Sequence, residues 1–248
     1  MITATFQEGS FRDKTVLVSG GTSGIGAAIG NALAELGAIV TVTGATEFEA
    51  ADAQERAGFW IARAAALDVR DSAAVAAFFA GLPTLDVLIN CAGIIRRGEE
   101  HDPVVFAEVL DVNLTGTMRL CAAARPLLVR TRGCIVNTAS LLAFVGGALV
   151  PGYSSSKGGV AQLTKSLAIA YAPDRIRVNA IAPGWIATEL TRPLREDPLR
   201  TDAIVARTPL GRWGTPDDVA GTAVFLCSPA ASFVTGAIIP IDGGYLAA

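Results

Sequence analysis

Residues 15–37 read TVLVSGGTSGIGAAIGNALAELG: a short β-branched run, a glycine-rich turn, and an Ala/Leu-rich stretch closed by another glycine. The first residues suit a buried strand and the last dozen or so a helix, so Gly20, Gly24 and Gly26 mark a strand-to-helix turn. Residues without Cβ let a backbone approach a pyrophosphate closely, and a helix N-terminus offers the anion free N–H groups and a positive dipole. The spacing is GxxxGxG, not the GxGxxG of other dinucleotide folds. A glycine turn alone serves equally well as a plain tight turn, and it is the strand before and the helix after that favour a nucleotide.

Outward from this turn the pattern repeats. TVLVSG, AIVTVTG, AAALDV, DVLINCAG, CIVNTAS, IRVNAIAPG and AIIPIDGG read as strands, most of them separated by segments long enough for helices. Parallel neighbours need a crossover that a helix supplies, so the expected fold is α/β: a doubly wound, Rossmann-type parallel sheet of about seven strands with helices on both faces, in a single domain over residues 1–248. Ligands in such sheets bind beyond the carboxyl ends of the strands. The least regular segment, residues 185–216, holds four prolines and mixed charge and is expected to be a substrate lid.

Composition narrows the partners. The 248 residues are 51% hydrophobic and 17% charged with a formal charge of −3, which describes a globular core without a basic surface for nucleic acid or an anionic membrane. Small molecules are the expected partners. Cys91, Cys121, Cys134 and Cys227 show neither CxxC spacing nor a paired framework and read as buried thiols, and no metal ligand set is visible. The first residues lack a basic start and an apolar leader, and no apolar run spans a membrane, so the expectation is cytoplasmic. The one histidine, His101, reads as a surface residue, which leaves a Ser-His-Asp mechanism without support.

The stretch YSSSK puts Tyr153 and Lys157 one helical turn apart on one face. Together with SGGTSGIG, NCAG at Asn90 to Gly93, Asn113 in DVNLTG, NTAS ending at Ser140, and APGWIAT, it resembles the short-chain dehydrogenase/reductase family over nearly the whole chain. Ser19 stands where that family usually has threonine, and Cys91 replaces the second asparagine of NNAG. The resemblance implies hydride transfer between a nicotinamide cofactor and an alcohol/ketone pair, with Asn113, Ser140, Tyr153 and Lys157 as catalytic residues. A tyrosine titrates near ~10, and a cation within about 4–6 Å favours its phenolate, so Lys157 is expected to tune Tyr153 toward operating pH. Ser140 would steady the substrate oxygen, and Asn113 would hold a water that relays the proton. The same carry-over assigns cofactor contacts to Ser19, Gly20, Thr22, Ser23, Gly24, Ile25, Gly26, Asp68, Val69, Asn90, Ala92, Gly93, Tyr153, Lys157, Pro183, Gly184, Ile186 and Thr188. Asp68 has an alternative reading as the cap of the next helix. The second strand ends on Gly44 and Ala45, without the acid that marks NAD or the arginine that marks NADP, and no cation stands in the glycine turn. NAD or NADP is expected, with a lean to NAD.

For the substrate, Arg96 and Arg97 follow the fourth strand, and an arginine is well shaped for a carboxylate. AGIIRR, GRWG and IDGGYLAA resemble the gluconate and 2-deoxy-gluconate dehydrogenases of the family, which implies a sugar acid or polyol held through Ser140, Tyr153 and Arg97. Surface or inter-subunit roles for both arginines remain open. The apolar run of Leu141, Leu142, Phe144, Val145, Ala148, Leu149 and Val150 keeps a second reading, a reductase of less polar ketones or 3-oxoacyl thioesters. A dinucleotide-binding sensor without turnover is the third. The family resemblance also implies a homotetramer through the helices near 103–130 and 153–172.

Overall fold

The computed structural model describes residues 5–57 and 61–248; the first four residues of the supposed leader-free start lie outside them. Seven parallel strands form one sheet: β1 (Thr15–Ser19), β2 (Ile39–Gly44), β3 (Arg63–Ala66), β4 (Val87–Asn90), β5 (Cys134–Thr138), β6 (Arg177–Pro183) and β7 (Ile238–Ile241), in the order β3-β2-β1-β4-β5-β6-β7. The expected doubly wound sheet is therefore present. Its helices are α1 (Gly24–Glu35), α2 (Glu47–Ala57), α3 (Ser72–Ala80), α4 (Pro103–Leu110), α5 (Gly116–Thr131), α6 (Pro151–Tyr171), α7 (Arg192–Arg195), α8 (Pro198–Arg207) and α9 (Pro216–Cys227).

Strand side chains alternate between two cores, which is why the strand sequences are apolar throughout. Val16, Val18, Ile89 and Val136 pack with Ile29 and Leu33 of α1 and Val219 and Val224 of α9. Leu17, Leu88, Ile135 and Val178 pack on the other face with Val75 of α3, Leu120 of α5 and Leu167 of α6. Strand order reverses on either side of β1, so a crevice opens between the carboxyl ends of β1 and β4, where ligands of open α/β sheets bind. Among the described residues no helix is long and apolar enough to cross a membrane.

Residues 185–216 are more regular than their composition suggests. Pro193, Pro198 and Pro216 sit in the first turns of α7, α8 and α9, where the missing N–H has no helical partner to lose. Asp197 caps α8 and Thr215 forms a reciprocal cap with Asp218 on α9. The prolines therefore start short helices here and do not break them.

Candidate functional site

The glycine turn is built for close packing and for an anion. Gly20 has φ +66°, and a Cβ there would lie 2.5 Å from the Ala92 nitrogen; one at Gly26 would lie 2.2 Å from the Gly20 carbonyl oxygen. The turn thus presses β1, α1 and the loop after β4 together. Ser23, at the start of α1, makes no side-chain cap bond, and the first turn carries no acidic residue. The leading N–H groups of a twelve-residue helix therefore face the groove free for phosphate oxygens.

A groove of about 500 Å³ runs from the end of β2 across this turn to α6. Gly20, Thr22, Ser23, Gly24, Ile25 and Gly26 line one wall, Asp68, Val69, Ala92, Gly93 and Thr188 the others, and Tyr153 and Lys157 close its far end. Its reach along the sheet fits an elongated dinucleotide. Ser19, Asn90 and Ile186 are buried and Pro183 ends β6; none of the four lines the groove, and Gly184 lines the neighbouring cavity. Asn90 donates to the Asn137 side chain at 2.9 Å and so ties β4 to β5. Asp68 does not cap α3, since Asp71 does, accepting from the N–H groups of Ala73 and Ala74. The carboxylate of Asp68 is instead gripped by Arg70, whose hydrogen bonds hold its pKa below the usual range.

Asn113 lies in a wide π-turn, Asp111–Thr115, between α4 and α5. The extra residue turns its side chain inward, and such bulges often mark functional sites. Its amide is fully engaged: Oδ1 accepts from the Ile94 N–H at 2.8 Å, and Nδ2 donates to the Ile94 carbonyl at 3.0 Å and to Ser156 Oγ at 3.1 Å. Asn113 thus clamps the Gly93–Ile94 loop. A Cβ on Gly93 would be 3.3 Å from Asn113 Oδ1 and 3.7 Å from Lys157 Nζ, so those two side chains meet behind that glycine.

Tyr153 and Lys157 do share one face of α6. The Lys157 ammonium lies 5.5 Å from the centroid of the Tyr153 ring and donates to the Thr138 carbonyl at 2.7 Å. Burial lowers the Lys157 pKa to about 8. Burial also pushes the Tyr153 phenol up to about 12; the Ser140 hydroxyl and Arg97 pull it down, while Glu100 raises it. The Lys157 ammonium is held toward the Thr138 carbonyl beside the ring. Cys91, in place of the family's asparagine, contacts Thr138 Oγ1 at 3.2 Å.

Beside Tyr153 a second cavity of about 350 Å³ holds Ser140, which also caps the turn Leu141–Ala143. Its apolar wall contains Leu141, Leu142, Val145, Ala148, Leu149 and Val150, whereas Phe144 is exposed and not part of it. The two arginines part company. Arg97 lines this cavity, while Arg96 lines the dinucleotide groove and approaches Glu108 at 3.5 Å. His101 is exposed, with Nε2 2.9 Å from the Ala148 carbonyl oxygen.

Several lining residues carry no sequence signal of their own. Glu49 of α2 folds back so that its carboxylate accepts from the Ala45 N–H at 2.6 Å, and it lines the groove at the end of β2. Its place four residues after the vacant marker position is a signal that helix geometry could have supplied. Glu100 is buried with both oxygens on backbone N–H groups, and Arg207 and Tyr245 enter the second cavity from distant parts of the chain.

Residues 20–246 match the family model described as enoyl-(acyl carrier protein) reductase. The 2-dehydro-3-deoxy-D-gluconate 5-dehydrogenase of Bacillus subtilis (strain 168) is 44% identical over 96% of this chain and 96% of its own. The enzyme of the same name from Pseudoalteromonas atlantica is 42% identical over 96% of this chain and 97% of its own. A candidate 2-deoxy-D-gluconate 3-dehydrogenase from Agrobacterium tumefaciens, solved with bound NADP, superposes with a TM-score of 0.88 at 42% identity, covering 98% of this chain and 100% of that one. Glycine turn, YSSSK helix and sheet order agree with these likenesses over almost the whole length, and the chain belongs to the short-chain dehydrogenase/reductase family of nicotinamide-dependent oxidoreductases.

Proposed function

We propose that this protein interconverts a secondary alcohol and a ketone in a sugar acid. The observation that carries this reading is the cavity beside Tyr153 and Ser140: among the described residues two arginines, Arg97 and Arg207, line it, and no acidic residue does. A carboxylate substrate compensates that charge, and guanidinium groups suit it by paired N–H bonds. The sugar-acid names of the relatives support the same choice.

A bound nicotinamide supplies the hydride acceptor or donor; the residues of the chain manage the proton. Tyr153 exchanges it with the substrate oxygen, and Ser140 hydrogen-bonds that oxygen as its charge changes. With its phenol held near 12, Tyr153 is an acid ready for ketone reduction at neutral pH, and alcohol oxidation gains as pH rises. Lys157 bonds Thr138 at the groove end and would hold the cofactor's ribose, while Asn113 fixes the Gly93–Ile94 wall. With the Asn113 amide bonded to Ile94 and Ser156, the relay water would be held by the second lone pair of its backbone carbonyl, the first accepting from Thr117 Oγ1.

The cofactor reading is NAD over NADP, since Glu49 lines the groove at the end of β2, and its carboxylate would repel a 2′-phosphate bound there. A titration with both dinucleotides tests this, and tighter NADP binding overturns it. Residues 185–216 act as the lid, their Thr188 and Leu190 touching the groove and Trp185 and Arg207 the cavity. The four cysteines are all free thiols, in keeping with a cytoplasmic enzyme. Exposed Val104, Met118 and Ile169 on α4, α5 and α6 suit the packing of those helices in a homotetramer, which light scattering checks.

Initial rates with gluconate, 2-deoxy-gluconate, neutral polyols and plain secondary alcohols test the substrate class, with Arg97→Ala beside the wild type. Preference for acids, lost in that variant, is expected. Preference for apolar alcohols or 3-oxoacyl thioesters would instead follow the wall of Leu141, Leu142 and Leu149 and overturn the sugar-acid reading.

A further inference from the structure

We propose that Arg207 is a second substrate-recognition residue, carried by the lid helix α8 and preset by Tyr245, which closes with Arg97 on the substrate carboxylate. This rests on the sugar-acid reading above.

Arg207 differs from Arg192, Arg200 and Arg212 of its segment, and from Arg195 in that it lines the cavity. Arg192, Arg200 and Arg212 each pair with a carboxylate close in sequence, Glu189, Asp197 and Asp218 respectively. Arg207 has no such ion pair among the described residues. Its guanidinium carbon lies 4.3 Å from the centroid of the Tyr245 ring, and Nη1 reaches Tyr245 Oη at 3.5 Å, the long limit of a hydrogen bond. Stacking on an aromatic face fixes the guanidinium plane and leaves most of its donors free.

Charge points to the same ligand. Arg97 also lacks an ion pair among the described residues, and Arg200 disfavours its charge further. The nearest compensation, Glu100, has both oxygens on the backbone N–H groups of Arg96 and Tyr153. Two arginines therefore enter one cavity from opposite ends of the sequence, one fixed after β4 and one on a helix between β6 and β7. The ring of Trp185 packs edge-on against both Trp213 and Tyr245, at 5.9 and 6.1 Å, so the stack that holds Arg207 joins both ends of the lid to the C-terminal turn. A carboxylate bridging Arg97 and Arg207 draws α8 down; a neutral polyol has nothing to draw it with.

The test uses the full-length enzyme with gluconate or 2-deoxy-gluconate, whichever wild type turns over, and the neutral polyol of matching skeleton, for wild type, Arg207→Ala, Arg207→Lys and Tyr245→Phe. Expected is a KM for the acid raised about tenfold or more by Arg207→Ala, with kcat and the polyol KM changed less than about threefold, and partial recovery in Arg207→Lys. Tyr245→Phe keeps the ring that holds the guanidinium and loses only the long bond to the hydroxyl, so it should raise the KM for the acid by less than Arg207→Ala does. Tryptophan fluorescence, read in a Trp60→Phe background so that it comes from Trp185 and Trp213, should change on adding the acid to the otherwise wild-type enzyme and not to Arg207→Ala. An acid-to-polyol preference kept by Arg207→Ala overturns the clamp alone. A wild type without preference for acids overturns the sugar-acid reading and the clamp with it.

Discussion

The carboxylate of Glu100 accepts a 2.7 Å hydrogen bond from the backbone N–H of Tyr153, although fifty-three residues separate them. Its other oxygen accepts from the Arg96 N–H at 2.8 Å. A buried acid thereby caps the first turn of α6 from outside and ties the arginine-bearing loop to the tyrosine. Glu100→Ala leaves two N–H groups without an acceptor and should lower stability by about 2–4 kcal/mol, read by chemical denaturation. Glu100→Gln removes the charge that raises the Tyr153 pKa, so the alcohol-oxidation pH profile should move to lower pH. A profile that stays in place would reduce Glu100 to a cap.

Tyr153→Phe removes the hydroxyl proposed to exchange the proton with the substrate while leaving the ring against Lys157. Turnover should fall by at least about 10³-fold, with dinucleotide binding within a few-fold of wild type. Substantial turnover in Tyr153→Phe would displace the tyrosine from the mechanism.

Burial of Lys157 makes the stability of the cofactor-free protein depend on pH. Its pKa is 10.5 in the unfolded chain and about 8 in the folded one, so between these values the unfolded chain binds the extra proton and stability rises with pH. The shift amounts to ~3 kcal/mol, part of it offset by the bond to Thr138. Tyr153 acts oppositely, its contribution being lost from about 10 to about 12. Burial raises the Cys91 and Cys121 thiols above their ordinary value of 9.0, and the Cys134 contact together with burial raises Cys227, so these thiols also oppose the trend from about pH 9. The window in which Lys157 dominates lies between pH 8 and 9. Denaturation midpoints there should climb for wild type and flatten for Lys157→Met.

Gly26→Ala places a methyl 2.2 Å from the Gly20 carbonyl oxygen, a backbone atom that cannot rotate away. The turn must open, at roughly 1–3 kcal/mol, and the N–H groups at the start of α1 lose their aim. A lowered melting temperature together with at least tenfold weaker dinucleotide binding is expected. Unchanged affinity would mean the phosphate contacts lie elsewhere.

Much of this was readable in one dimension because the signals were local. β-Branched runs and their spacing give seven strands, a GxxxGxG turn gives the anion site of α1, and an i,i+4 pair places Tyr153 beside Lys157. Local signals also misled. The alternative reading of Asp68 as the cap of α3 fails because Asp71 holds that position, and the prolines of residues 185–216 suggested irregular chain where they begin helices.

What the sequence determined by itself is the doubly wound sheet, the family, and the glycine turn and Tyr153/Lys157 pair that line the groove, since strand periodicity, turn chemistry and helix spacing depend on neighbours along the chain. Only the tertiary structure decided that Arg97 faces the cavity beside Ser140 and Arg96 does not, that Glu100 holds Tyr153, that Lys157 bonds Thr138, and that Arg207 and Tyr245 line that cavity. Those relations join residues tens to more than a hundred positions apart, and their geometry is set by how strands and loops pack, which no local pattern records.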